Sequence, residues 1–366
     1  MSIDYPSRRH ALARAVSADA FAFVPGPNLH YYTGLDFHLS ERPTVAFYRP
    51  VEDDLTIIVP ELEQSALESQ SDAAWQRFAW NDRDGYVGAF AHATAALGLG
   101  GASLGLDDLT MRVFEWLAIQ AADPTIQPCG AGRGMLRVRA KKTPDEIAAL
   151  REAIRITEAA LAEVLTQAAP GQSERAIADS LAQALKQGGA SGLAFDTIVL
   201  TGPQSALPHG HPGDRELGRD ELLLIDFGGT WGGYPADITR TVCLGTPPDE
   251  LARVHDLVLR ANRAARDIAG PDVTCDAVDH AARAVIADAG YGERFNHRTG
   301  HGLGLEIHEL PQIAEGVEDV LEPGMVFTIE PGVYLPGLGG VRIEDDVVVT
   351  EDGIEVLTSF PRGLAR

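Results

Sequence analysis

Three short apolar runs in the second half of the chain each carry an acid: Asp226 in LLLIDFGG (222–229), Glu330 in MVFTIEPG (325–332) and Glu344 in VRIEDDVVV (341–349). Their length, their apolar content and the turn residues around them predict buried β-strands. A carboxylate among Leu, Ile, Val and Phe carries a heavy desolvation cost unless its charge is met. One arginine can meet one such charge. Several acids converging repel each other unless cations hold them together, so a metal site is the economical reading.

An internal repeat says how they converge. TPDEIAAL (143–150) is echoed by PPDELARV (247–254), and AIADSLAQALKQGG (176–189) by AVDHAARAVIADAG (277–290). LLLIDFGG is echoed by MVFTIEPG, and ADITRTVCL (236–244) by VRIEDDVVV. Each half reads helix, helix, then strands with an acid on two of them. Chance likeness between amphipathic helices is the duller explanation, but four segments recur in order at nearly constant offset. Two such halves about a pseudo-twofold axis would bring Asp226, Asp237, Glu330 and Glu344 to one place. The helix signals are explicit: Thr143, Pro144 and Glu146 form a capping box with proline at the first helical position. A second helix is predicted from Ser173 to Gly188–Gly189.

The chain has 366 residues, beyond the size at which a single core stops growing, so two domains are expected, 1–130 and 131–366. In the first, FAFVP (21–25), TVAFY (44–48) and LTIIVP (55–60) predict strands, and 7–16 and 111–122 predict helices, a small α/β domain. Its stretch GLDFHLSERP (34–43) predicts an exposed loop holding Asp36, His38, Glu41 and Arg42. Such a loop is by default only solvated; the sharper reading is that it caps a polar site. A net charge of −23 argues against nucleic acid or anionic membrane as partner. Cys129, Cys243 and Cys275 are odd in number and far apart, which favours a reducing cytoplasm over a disulfide framework. No signal-peptide core or membrane-length apolar run is present.

Four carboxylates and one imidazole, His301 in GHGLGLEIHE (300–309), offer mainly hard oxygen donors. They favour Mn, Co(II), Fe(II) or Zn, and suit two ions rather than one. Paired ions acidify a shared water and polarise a carbonyl. His308 is a candidate proton donor or oxyanion stabiliser. LPHGHPG (207–213) supplies His209 and His211; His211 reads as a surface residue, although an HxH pair of the amidohydrolase kind is a rival. Taken singly, an Asp after an apolar run caps a turn, and a strand Glu pairs with Arg; Arg240 and Arg342 are near in sequence. GHGLGL and PGLGG are too incomplete to be phosphate loops.

The set IDFGG, ADITRT, HRTGHGLGLEIHE, TIEPG and VRIEDD resembles the pita-bread metallopeptidases: methionine aminopeptidase, aminopeptidase P, prolidase and the creatinase fold. The likeness runs over about 137–360. It implies an α/β (α+β) architecture, a small creatinase-type N-terminal domain followed by a pita-bread domain. It further implies two divalent metals, with Asp226 on one, His301 and Glu330 on the other, and Asp237 and Glu344 bridging both. His209 and His308 fall on the family's catalytic histidines, and Arg342 on a position that orients the site. FAFVPGPNLHYYTGL (21–35) resembles the N-terminal domain of prolidases and aminopeptidases P. The resemblance thus implies a cytoplasmic, homodimeric Xaa-Pro peptidase with manganese, or with cobalt or zinc, acting on proline-containing peptides. A hydroxide bridging the metals would attack the bond before proline. The lead-in HRTGHG and the short gap from Glu330 to Glu344 favour the dipeptidase, prolidase, over aminopeptidase P. His297 is expected beside the proline pocket, and Asp36 or Arg42 is expected to close off the space for longer peptides. A non-catalytic interaction protein on the same fold is the alternative from another class.

Overall fold

The β-branched and aromatic runs of the first hundred residues form strands, as their composition predicts. The computed structural model describes residues 3–71 and 73–364. The chain divides into Met1–Arg139 and Ala140–Arg366. In the first unit one six-stranded sheet runs, in spatial order, Trp75–Trp80, Asp54–Pro60, Val45–Arg49, Ala20–Phe23, Ser103–Leu106 and Gln127–Gly130. Phe47, Ile58, Phe90 and Ile119 are part of its core. The unit extends nine residues past the expected boundary because the helix Gly132–Ala140 belongs to it. Tyr32 Oη donates to the Met135 carbonyl at 3.0 Å, and Arg139 donates to Asn28 at 2.9 Å.

The stretch 34–43 has no regular structure, as expected, yet it is more than a solvated loop. Leu35 and Phe37 are buried, so Asp36 and His38 are turned outward between two anchors. Arg42 donates to both oxygens of Asp82 at 3.0 and 2.8 Å and to Glu41 at 2.7 Å. The backbone of Asp36 exchanges two hydrogen bonds with the Gln70 amide, at 2.6 and 3.1 Å.

In the second unit the repeat is visible as order. Helices α1 (Pro144–Gln167) and α2 (Glu174–Gln187) precede strands β1 (Ile198–Thr201), β2 (Leu222–Phe227) and β3 (Ile238–Cys243). Helices α3 (Asp249–Ile268) and α4 (Cys275–Asp288) precede β4 (Gly300–Gly302), β5 (Glu309–Ile313) and β6 (Val326–Ile329). Then follow β7 (Gly332–Leu335), β8 (Gly339–Arg342), β9 (Asp345–Val349) and β10 (Ile354–Val356). The first helix starts at the capping box read from sequence: Glu146 accepts from the Thr143 amide at 2.8 Å, and Thr143 Oγ1 accepts from the Glu146 amide at 3.4 Å. Ser173 and Thr274 cap α2 and α4 by the forward bond alone, their hydroxyls accepting from the Ala176 and Ala277 amides at 3.2 Å. The sheets run β3-β2-β1 and β5-β4-β6-β9-β10, all antiparallel, with β7-β8 as a separate ribbon.

The predicted single strand at 341–349 is two. It breaks at Ile343–Glu344, leaving β8 paired with β7 and β9 paired with β6. Of the four acids only Asp226 lies within a strand; Asp237 precedes β3, Glu330 follows β6 and Glu344 occupies the break. At such ends the ladder stops, and side chains otherwise fixed to alternate faces can turn to one centre.

Candidate metal centre

The break is held from behind. The Glu344 amide donates to the Thr239 carbonyl at 3.1 Å, tying the junction to β3. Arg240, fully buried, donates to the Glu344 carbonyl and to Asp345 Oδ1 at 2.9 Å, and also to the carbonyls of Phe360 and Pro361. Asp237 is fixed through its amide, which donates to Asp346 Oδ2 at 3.2 Å. Glu330 is fixed by its amide on the Thr299 carbonyl at 2.7 Å, and the His301 amide donates to Thr328 Oγ1 at 3.1 Å.

These backbones place Asp226, Asp237, His301, Glu330 and Glu344 on the wall of one cavity of about 390 Å³. His209, His297, His308 and Arg342 line it too, together with Arg298, Phe195, Ile198 and Ile307. All of these belong to the second unit. Single donor atoms of Asp237, His301 and Glu344 lie within 4.8 Å of one another. His301 Nδ1 faces the Gly302 carbonyl at 3.2 Å and so carries the ring proton. Its Nε2 lone pair then points at Asp237 Oδ2 and Glu330 Oε1, both at 3.5 Å. Burial, then the neighbouring His308, lowers the imidazole's pKa to about 3, so it is neutral at physiological pH. A lone pair set against two carboxyl oxygens calls for a proton or a cation between them. Asp226 Oδ1 is buried without a partner, the state of an oxygen shaped for a ligand that is not protein. Oxygen-rich donors with one imidazole fit divalent ions of the Mn, Co or Zn kind.

The acids feel the crowding. Burial first, then Glu344 and Asp226, raises Asp237 well above the ordinary carboxylate range. Burial, then Glu330 and Asp226, does the same to Glu344. Glu330 is pushed up to about 8 by burial, with Arg342 pulling against the shift.

Arg342 reaches the carboxylate of a ligand candidate. Its guanidinium binds Asp226 Oδ2, donates to Thr239 Oγ1 at 3.1 Å and to Tyr334 Oη at 2.8 Å. Thr239 Oγ1 passes its proton to Glu344 Oε2 at 2.6 Å. With Tyr334 Oη accepting from Arg342, its own proton goes to His297 Nε2 at 2.9 Å, and His297 Nδ1–H goes to the Arg298 carbonyl at 2.8 Å. Burial, then Arg342, lowers His297 to about 4, which keeps it neutral. Both its nitrogens are thus spoken for, and it offers the cavity a ring face. His308 packs edge-on to His301 with centroids 4.2 Å apart, its pKa lowered by burial and then by Arg298.

His211 is exposed and does not line the cavity, whereas His209 does, so the two are not joined there as an HxH ligand pair. Asp36 and Arg42 lie in the first unit with the partners given above. Sequence reading missed Tyr334, Thr239 and Arg298. Only Arg298 left a signal, a cation three positions before the candidate ligand His301 in HRTGHG.

Comparison with known proteins agrees with this geometry. A model of metallopeptidase family M24 matches residues 148–351. An Xaa-Pro dipeptidase of Pyrococcus horikoshii is 35% identical over 351 residues, 95% of each chain. Dipeptidase PepE from Mycobacterium ulcerans superposes with a TM-score of 0.92 at 36% identity, covering 99% of this chain and 97% of that one. An X-Pro aminopeptidase from Thermotoga maritima gives a TM-score of 0.84 at 33% identity, covering 97% and 99%.

Proposed function

Because the chain belongs to metallopeptidase family M24, we propose that it hydrolyses the bond before proline in Xaa-Pro dipeptides, with Asp226, Asp237, His301, Glu330 and Glu344 holding two divalent ions. The observation that carries this is the neutral His301 Nε2 turned on two carboxylate oxygens at 3.5 Å in a cavity of peptide size. When bound, the ions would supply Lewis acidity toward the scissile carbonyl and lower the pKa of a water. Everything else is done by the chain. Glu330 takes a proton on its carboxylate and relays it to the leaving imide nitrogen. His308 donates to the developing oxyanion, and His209 steadies the substrate carbonyl. Arg342, through Asp226 and Thr239, keeps the acids in register. The imide before proline has no N–H, so grip on the carbonyl and the free amine replaces strand-like pairing.

Manganese is the ion we favour, on the oxygen-rich donor set, and a homodimer in the reducing cytoplasm the working form. Three unpaired cysteines among the described residues accord with that compartment. Among the described residues no helix is long and apolar enough to cross a membrane. Aminopeptidase P activity on longer peptides is the second reading, favoured by the likeness to the Thermotoga maritima X-Pro aminopeptidase. The test is hydrolysis of Ala-Pro against Ala-Pro-Ala by protein supplied with Mn(II). Faster Ala-Pro cleavage, lost on chelation, is expected. Preference for the tripeptide selects the second reading, and cleavage of neither overturns both.

A further inference from the structure

The segment 295–301 carries His297, Arg298 and His301 into the cavity, yet its anchoring lies outside it, on α4. Asp279 is fully buried there. Its Oδ1 accepts from the Thr299 amide at 3.0 Å, from Thr299 Oγ1 at 2.8 Å and from Arg283 Nη2 at 2.9 Å; Oδ2 accepts from Arg283 Nε at 2.8 Å. Arg283, one turn further along the helix, donates to the carbonyls of Phe295 and His297 at 3.0 and 2.9 Å and stacks on the Phe295 ring at 4.3 Å. One ion pair thus fixes alternate backbone groups at 295, 297 and 299. The Thr299 carbonyl in turn holds the Glu330 amide, so the brace reaches two ligand candidates from two strands.

We infer that the Asp279–Arg283 pair is a positioning device for the metal centre, setting the approach of His301 and Glu330 through Thr299. An apolar pair would pack the same space at no greater desolvation cost. What it could not do is bind two carbonyls, an amide and a hydroxyl at fixed angles, and these backbone groups need partners once buried. Groups behind the ligands are worth about 10- to 100-fold in metal affinity when removed. This inference rests on the metallopeptidase reading.

The experiment is titration of chelated protein with Mn(II), and the visible spectrum with Co(II), for wild type, Asp279→Asn and Val278→Ala. Val278 is a fully buried residue of the same helix, in the same apolar core as Phe295 but with no polar side-chain group to hold the backbone of 295–301, and reports what mere destabilisation does. Expected is a roughly 10- to 100-fold loss of Mn(II) affinity in Asp279→Asn with an altered Co(II) spectrum, while Val278→Ala melts earlier yet binds as wild type. Wild-type affinity and spectrum in Asp279→Asn, or an equal loss in Val278→Ala, overturns it. Should Asp279→Asn not fold, Thr299→Val, which deletes one donor and leaves the ion pair, carries the same comparison. A wild type that takes up no metal removes both readings; a wild type that does, beside an unchanged variant, removes this one alone.

Discussion

Stripped of cations, the protein should become less stable as pH rises from 7 to 8, and binding metal should release protons. In the folded chain Glu330 titrates near 8 rather than at its ordinary 4.5, so across that interval the folded state keeps a proton that the unfolded state has lost. Stability falls with pH wherever the folded state holds the extra proton. The buried histidines act oppositely, but lower down. His301 near 3 and His297 and His255 near 4 are neutral when folded and half protonated at about 6.5 when unfolded, so between pH 7 and 8 they offset the fall only in part. At about 1.4 kcal/mol per pH unit, Glu330 alone accounts for about 1 kcal/mol between pH 7 and 8, and the three histidines return about 0.4 kcal/mol of it. For a unit of this size the net fall corresponds to roughly 1–2 °C in melting temperature. At pH 7 Glu330 is about nine-tenths protonated, so metal uptake should expel about one proton from it. Thermal melts of chelated and Mn(II)-loaded protein, with calorimetric titrations in two buffers of different ionisation enthalpy, measure both effects. A chelated protein whose melting temperature is flat or rising between pH 7 and 8, or uptake without proton release, refutes the reasoning.

Tyr334→Phe deletes the hydroxyl between Arg342 and His297 and leaves both without that partner; urea unfolding should show a loss of about 1–3 kcal/mol, and an unchanged midpoint would discount the relay. Lys142→Met removes the ammonium 2.6 Å from Glu309, where both side chains are 1% exposed. An abandoned buried charge costs about 3–5 kcal/mol, and a smaller loss at pH 7 would mean Glu309 is met by other groups. Arg42→Ala should leave melting unmoved, since its bonds to Asp82 and Glu41 are at the surface. A shifted ratio of Ala-Pro to Ala-Pro-Ala turnover in that variant would assign the 34–43 loop to peptide length, and an unshifted one would retire that role.

Asp226, Glu330 and Glu344 were legible because an acid inside an apolar run contradicts its surroundings, and the contradiction has few resolutions. The capping box at Thr143 and the helix start at Ser173 were legible because they are local. The break at Ile343–Glu344 was not. VRIEDDVVV has the composition of one strand, and only the competing partners β7 and β6 divide it. Tyr334 was invisible for the same reason at longer range: its role consists of meeting His297 from 37 positions away. The unit boundary slipped because the helix 132–140 looks like a linker until Tyr32 and Asn28 are seen to hold it.

Arg240 grips the carbonyls of Phe360 and Pro361 with the same guanidinium that holds the carbonyl of Glu344. During translation, then, the support behind that glutamate cannot close until Phe360 and Pro361 have left the ribosome. Tags or truncations near residues 358–362 should therefore disturb catalysis more than their distance in sequence from the acids suggests.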